Sequence, residues 1–373
     1  MNQATHLSGH SDILAEVRGQ VGFITLNRPK ALNALSLQMV RDLAAVLTAW
    51  RDDHAVVAVA IRGTNKAGRP GTPESLFGGF CAGGDIRFFH QVALAGDLEL
   101  LDAFFTEEYR LNHLIHNYPK PYIAFMDGVV MGGGMGISVG AKLRIVTEHS
   151  KLAMPETNIG LFPDVGGGYF LSRCPGSAGE YLALTGAVIG AAEALAYGLA
   201  DIQRPAASLP ALWEELASTA DPEQWVATNL VADSVRAERA NDPFDAYFSL
   251  ARVKHIVDAL EAAKDDDWAK KTAAILRKRS PLMLHVTLEQ IRRARSMSLG
   301  DDLRMERDIV HHCFHLRPGA ASETVEGIRA LAIAKDYTPK WQPARIEDVK
   351  PPMVQAFFAS PWTADTHPLR DLA

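Results

Sequence analysis

The sequence predicts an α/β core over about its first 205 residues and a helical region from there to residue 373. Three observations carry this division. Short apolar runs alternate with stretches of helical spacing in the first part. Glycine is frequent in that part and thins out after Pro205. Beyond Pro205, long amphipathic helices are expected to dominate, from "PALWEELAS" through "RALAIAKDYTPKW", punctuated by Pro281 and Pro318. The expected organisation is a core over residues 1–205 and a helical C-terminal region over residues 206–373.

Taken in order, "QVGFITL" (residues 20–26) alternates and stops at Asn27-Arg28-Pro29, where proline cannot donate to a ladder. "NALSLQMVRDLAAVLTAW" then places Leu35, Met39, Leu43, Val46, Leu47 and Trp50 on one helical face, with Asn33 as the expected cap. "AVVAVAIRG" (residues 55–63) is continuously apolar, the pattern of a strand covered on both faces. Residues 63–79 are rich in Gly, Pro and Thr and read as a surface loop, while "YIAFMDG" and "LRIVT" read as further strands. No internal repeat or low-complexity tract appears, and the last dozen residues read as a loose tail.

Composition narrows the class. Hydrophobic residues make up 47% and charged residues 22%, as in an ordinary globular protein. The formal charge of −6 and the lack of a long basic run argue against a nucleic-acid partner. The first residues have neither a basic region followed by an apolar one nor an arginine before Arg18, and no apolar stretch is long enough to span a bilayer. Three cysteines (Cys81, Cys174, Cys313) lack metal or redox spacing, which suits a reducing compartment. The expectation is a cytoplasmic protein without a membrane partner.

Three features point to chemistry. "MPETNIGLFPDVGGGYF" (residues 154–170) sets Glu156 and Asp164 among Met154, Ile159, Leu161, Phe162 and Val165. Burial of unpaired carboxylates costs several kcal/mol or raises their pKa by units, which a reactive site can use. In "LLDAFFTEEYRLNHLI" the residues Leu101, Phe104, Phe105, Leu111 and Ile115 share a helical face, and Glu108 falls in its middle while Glu107 points away. Such an acid is either paired in a core or lines a pocket. Three glycine-rich spots, "FCAGGDI", "DGVVMGGGMGISVG" and "DVGGGY", follow neither the dinucleotide nor the P-loop pattern. Glycine turns are either tight packing points or places where backbone N–H groups converge on one oxygen.

"AGGDI", "MGGGMG" and "MPETNIGLFPDVGGGYFL", in this order, with "ITLNRPKALNAL" before them, resemble the crotonase (enoyl-CoA hydratase/isomerase) superfamily. "EEYRLN", "KPYIAFMDG" and "EGIRALAIAKDYTPKW" extend the likeness to its acyl-CoA thioester hydrolase branch, over about residues 12–350. The resemblance implies a spiral of ββα units followed by a helical region, and a trimer or hexamer. It implies binding of acyl-CoA, with the backbone N–H groups of Gly84 and Gly133 on the thioester carbonyl. Ala31 falls in the turn of the CoA-binding edge, and Asp85 follows the first donor. No cofactor is implied, since CoA is part of the substrate, and no metal.

Hydratases of the superfamily use two glutamates. One matches Glu156; the other falls at Gly136 in this sequence. The hydrolase pattern pairs Glu156 with Asp164 instead and uses the match of Glu108 for substrate. The implied reaction is hydrolysis of 3-hydroxyisobutyryl-CoA, with Glu156 as nucleophile or as base for water. A hydratase or isomerase, and a CoA-binding module without catalysis, remain the alternatives. In "HHCFH", His311 and His315 lack an evident acidic third ligand and read as surface histidines of a helix, and Cys81 reads as a packed side chain. "DDD" (residues 265–267) and "RKR" (residues 277–279) read as solvated helix ends, and Trp213, Trp225 and Trp268 as helix packing.

Overall fold

A computed structural model describes residues 11–67, 75–232 and 242–373. The first ten residues and part of the expected loop after Gly63 thus lie outside the described residues. The described residues within Met1–Gly84, Leu111–Ala153 and Val188–Arg239 form one compact unit, and those within Asp85–Arg110, Met154–Ala187 and Ala240–Ala373 form another. The texture of the sequence changes near residue 205, whereas each compact unit gathers three separated stretches.

All described strands belong to the first unit. They are β1 Ile13–Arg18, β2 Val21–Leu26, β3 Ala58–Gly63, β4 Tyr122–Met126, β5 Val129–Met131, β6 Leu143–Val146, β7 Lys151–Ala153 and β8 Ile202–Gln203. A six-stranded sheet runs in the order β1-β2-β3-β4-β6-β8, parallel except for the β1–β2 hairpin; β5 and β7 pair in a second, small sheet. The consecutive pairs β4–β5 and β6–β7 each give one strand to each sheet, which is the spiral that the resemblance implies. Strand β2 alternates in sequence, but all six of its residues are buried. The burial of all six explains the difference: both faces of the strand are covered, as are those of β3.

The core of this unit follows the two-residue period of the strands. Val21, Phe23, Ala58, Ala60, Ile123, Phe125, Leu143 and Ile145 form one face, and Leu209, Trp213 and Leu216 of helix Leu209–Ser218 cover it. Trp213 is 1% exposed and meets Phe23 and Phe125 at 4.6 and 5.2 Å between ring centroids. Each such side chain contributes about 1.5–3 kcal/mol by leaving water.

Helix Leu37–Asp52 buries Met39, Leu43, Leu47 and Trp50 as expected, but Val46 is only half-buried and Leu35 precedes the helix. Its cap is Ser36, whose hydroxyl accepts from Met39 N at 3.2 Å, not Asn33. Asn33, fully buried at φ 54°, has another task. Its amide donates to the carbonyls of Thr64, Gly79 and Phe80 and its oxygen accepts from Arg28 N, so it ties three chain segments together.

The second unit contains helices and no described strand. Helix Pro281–Ala294 packs on Gly167–Leu171 and Ala178–Thr185, and helix Leu299–His315 packs on Gly167–Leu171 and Glu323–Ile328. The described α-helices after residue 205 range from the 4 residues of Asp245–Phe248 to the 17 of Leu299–His315, and "RALAI" is a π-helical turn, Arg329–Ile333. The expected loose tail is corrected. Leu369 is fully buried, Arg110 pairs with Asp371 at 2.6 Å, and Arg304 donates to the carbonyls of Leu369 and Leu372. Arg279 is not a solvated end either: it is half-buried and donates to Thr185 O. Asp266 does cap its helix, accepting from Ala269 N at 3.0 Å. Among the described residues, no helix is long and apolar enough to cross a membrane.

Candidate active site

In the first unit, register brings two glycine turns side by side. Cys81 bridges Val130 in parallel: Cys81 N donates to Val129 O at 2.9 Å and Met131 N to Cys81 O at 3.0 Å. Both segments leave this bridge in the same direction, so Gly84 and Gly133 each lie three residues beyond it. The turns touch. A Cβ on Gly83 would stand 3.6 Å from Gly133 N, and one on Gly134 would stand 2.3 Å from Cys81 O. Glycine is required at Gly83 (φ 100°) and Gly132 (φ 48°), where the left-handed region is entered. Gly133 opens the short helix Gly133–Gly136, so its N–H belongs to the first turn, whose amides have no intrahelical acceptor. Gly84 bridges Leu35 on its other side, with Leu35 N donating to Gly83 O at 2.8 Å.

Ala31 ends the 3-10 turn Pro29–Ala31 beside these donors, since Ala82 N donates to Leu32 O at 3.0 Å. Asp85 caps helix Ile86–Ala95 by accepting from Phe88 N at 3.3 Å. Cys81 is buried, with its sulfur 3.1 Å from Asn33 O, as befits a packed side chain.

In the second unit, three acids are buried together. Glu108, Glu156 and Asp164 are 2%, 7% and 5% exposed. Glu108 sits in the apolar stripe of helix Leu98–His116, with Leu101, Phe104 and Phe105 buried around it as the periodicity predicts. Glu156 opens the 3-10 turn Glu156–Ile159, which ends at Gly160 in the left-handed region. Asp164 precedes Val165 and Gly166, at φ 57° and 86°. Burial, and then the charge of Asp164, hold the proton affinity of both glutamates well above the usual carboxylate range. Burial pushes Asp164 up to about 7, against the hydroxyl of Tyr109, which donates to its Oδ2 at 2.9 Å. Each charge raises the proton affinity of its neighbours, so ionisation of one of these acids disfavours ionisation of the others. Glu108 Oε1 and Glu156 Oε2 have no hydrogen-bond partner among the described residues, as suits groups that meet a substrate.

Sequence reasoning missed Tyr109, the partner of Asp164. It also missed Asp302 and Glu306, which are fully buried and bonded to the backbone that follows Asp164. The signal was present: both fall in the apolar stripe of Leu303, Ile309, Val310 and Phe314, the argument that found Glu108.

The histidines of "HHCFH" do meet an acid. Asp102 lies 3.4 Å from His311 Nδ1 and 3.2 Å from His315 Nε2. Sequence distance hid it. Arg307 holds the same carboxylate at 2.7 Å, and the two imidazoles stack at 3.6 Å. The ligand atoms of Asp102, His311 and His315 lie within 4.8 Å of one another, but Arg307 already engages the carboxylate that a metal would share.

Residues 21–358 match the enoyl-CoA hydratase/isomerase family. A protein from Arabidopsis thaliana described as probable 3-hydroxyisobutyryl-CoA hydrolase 3 is 39% identical over 364 residues, covering 94% of this chain and 92% of its own length. The mitochondrial 3-hydroxyisobutyryl-CoA hydrolase of Gallus gallus is 36% identical, covering 95% and 90%. Among solved structures, a protein described as a carnitinyl-CoA dehydratase from Mycobacterium thermoresistibile is 38% identical, with a TM-score of 0.81 over 97% of this chain and 99% of that one.

Proposed function

The chain belongs to the enoyl-CoA hydratase/isomerase family, and from that premise we propose that it hydrolyses acyl-CoA thioesters, 3-hydroxyisobutyryl-CoA foremost. The observation that carries this reading is the pairing of acids. Glu156 and Asp164 are buried and act on each other, while Gly136 stands where a hydratase would need its second glutamate. A hydratase must both deliver and remove a proton; a thioesterase needs one reactive carboxylate, because CoA thiolate leaves without much acid assistance.

In this proposal the N–H groups of Gly84 and Gly133 bind the thioester carbonyl oxygen and stabilise the charge that develops there. One such donor is worth about 10²–10³ in kcat. Glu156 acts in one of two ways. Its carboxylate attacks the carbonyl carbon, the C–S bond breaks, and water then hydrolyses the resulting anhydride. Alternatively it takes a proton from water, whose oxygen attacks while the thiolate departs. A raised proton affinity suits a base that works near neutral pH. Asp164, with Glu108, receives the 3-hydroxyl of the acyl group. Ala31 and Asp85 belong to the CoA edge. No further cofactor enters.

Thiol release measured over 3-hydroxyisobutyryl, 3-hydroxypropionyl, isobutyryl and crotonyl thioesters tests the reading. Release from the hydroxylated thioesters supports it. Conversion of hydroxyacyl to enoyl thioester without free thiol would favour the lyase reading that the dehydratase relative suggests. A cytoplasmic location and a homo-oligomer are parts of the same proposal, open to cell fractionation and light scattering; the animal relatives are described as mitochondrial. Valine breakdown, which the preferred substrate implies, completes it.

A further inference from the structure

The turn that carries Asp164 is unusual. Val165 is β-branched yet lies in the left-handed region, directly before Gly166 in the same region. Gly167 N closes the turn on Asp164 O at 2.8 Å. What holds a disfavoured valine there is a clamp on the far side. From helix Leu299–His315, Glu306 Oε2 accepts from Gly166 N at 2.7 Å and Oε1 accepts from Gly168 N at 2.8 Å. One helical turn earlier, Asp302 Oδ2 accepts from Tyr169 N at 2.8 Å. Gln290 donates both to Pro163 O at 2.6 Å and to Glu306 Oε1 at 3.0 Å. All three side chains are fully buried.

The chemistry of the clamp is specific. Gly166 and Gly168 direct N–H groups at the two oxygens of one carboxylate. A carboxyl group offers acceptor lone pairs at both oxygens; an amide of the same shape would turn a donor toward one of them. A Cβ on Gly168 would stand 2.3 Å from Asp302 Oδ1, so the third glycine of "DVGGGY" makes room for the clamp rather than for a substrate. Burial, then the charge of Asp302, and less strongly the charge of Asp164 raise the proton affinity of Glu306, so the clamp and the acid it serves sense each other.

We propose that Glu306 is a positioning residue for Asp164: by fixing Gly166 and Gly168 it keeps Val165 left-handed and aims the Asp164 carboxylate at the acyl hydroxyl. This rests on the functional reading above for the identity of that hydroxyl, but not for the coupling between the two acids.

The test is a cycle of Glu306→Gln, Asp164→Ala and the double variant, each shown to be folded by circular dichroism. If Glu306 acts through Asp164, E306Q lowers kcat/KM for 3-hydroxyisobutyryl-CoA about 10- to 150-fold and for isobutyryl-CoA far less. Added to D164A, it costs less than about threefold more. Equal losses on both substrates, or losses that multiply in the double variant, overturn the proposal. Should the wild type release no thiol from any thioester, the functional reading fails, and the crystal structure of E306Q decides alone. Loss of the 2.9 Å contact between Tyr109 and Asp164 sustains the positioning role, and its retention refutes it. If E306Q does not fold, Gln290→Met, which removes the tie between Pro163 and Glu306, is put through the same readings.

Discussion

Gly134→Ala adds one methyl group where two chain segments are pressed together. The new Cβ would stand 2.3 Å from Cys81 O and 3.0 Å from Cys81 Cβ. Ordinary contact begins near 3.4 Å, so the segments must part by about 1 Å. Neither can yield by a side-chain rotation, because Cys81 is bonded through its backbone to Val129 and Met131 and Gly132 N is bonded to Ala153 O. The displacement therefore enters the interval between Gly84 and Gly133. A misplacement of about 1 Å at reacting groups costs roughly 10²-fold in rate. Alanine in place of a helical glycine would by itself stabilise by roughly 0.5–1 kcal/mol, so a loss of activity cannot come from weakened helix propensity. We expect kcat for 3-hydroxyisobutyryl-CoA, followed by a thiol-reactive chromophore, to fall about 100-fold with KM little changed. Gly198→Ala is the control: Gly198 is left-handed at φ 74° with nothing within 4 Å, so it carries backbone strain without a clash and should keep its kcat. A folded G134A protein with kcat within about threefold of wild type would refute the adjacency of the two donors as the source of catalysis.

Four further outcomes follow. Glu156→Gln should abolish thiol release while calorimetry still detects CoA binding, and wild-type release should climb as pH rises through neutrality, because burial and Asp164 keep the proton on Glu156; a flat profile counts against it. Asp164→Ala should bring the preference for 3-hydroxyisobutyryl-CoA over isobutyryl-CoA toward one, a loss of roughly 10- to 150-fold, whereas a preserved ratio would point to general support of Glu156. Asp164→Asn should raise Tm at alkaline but not at acidic pH. The folded carboxyl, pushed up to about 7, keeps a proton that the unfolded chain releases at about 3.9, so its stability contribution is whole below the unfolded value and fades as pH rises through 7; an equal Tm shift at both extremes would contradict this. Leu369→Ala should cost about 2–5 kcal/mol by thermal or urea unfolding, and a change under about 0.5 kcal/mol would mean that the C-terminal segment is not anchored.

What was legible in the sequence was what local period and local chemistry encode. The stripe around Glu108, the buried β3 and the glycine turns at Gly84 and Gly133 needed only neighbouring residues. Where two residue types compete over a few positions, the reading slipped: Asn33 and Ser36 are both good caps, and only the pull of three distant carbonyls on Asn33 decides between them. The buried C-terminus was hidden because a polar segment gives no sign of the arginines that receive it. Tyr109 and Asp102 were missed for the same reason. Their partners lie 55 and 209 residues away, and nothing in a short window records such a meeting. Glu306 stood in the apolar stripe of its own helix, and only its partner, 140 residues away, was hidden.

The clamp on the Asp164 turn also bears on how the chain is made. Gly166 and its carboxylate partner are 140 residues apart in sequence. At about 5–20 residues per second, a ribosome needs on the order of ten seconds to deliver Glu306 after Gly166 has emerged. During that interval the bonds to Asp302 and Glu306 that fix this turn cannot form. The apolar residues around Glu156 and Asp164 are bare, a state in which nascent chains aggregate or recruit chaperones. Chains stalled before Leu299 should therefore be cleaved by protease between Met154 and Phe170, and chains stalled well beyond His315 should not. The turn that carries Asp164 is thus completed late in translation rather than along it.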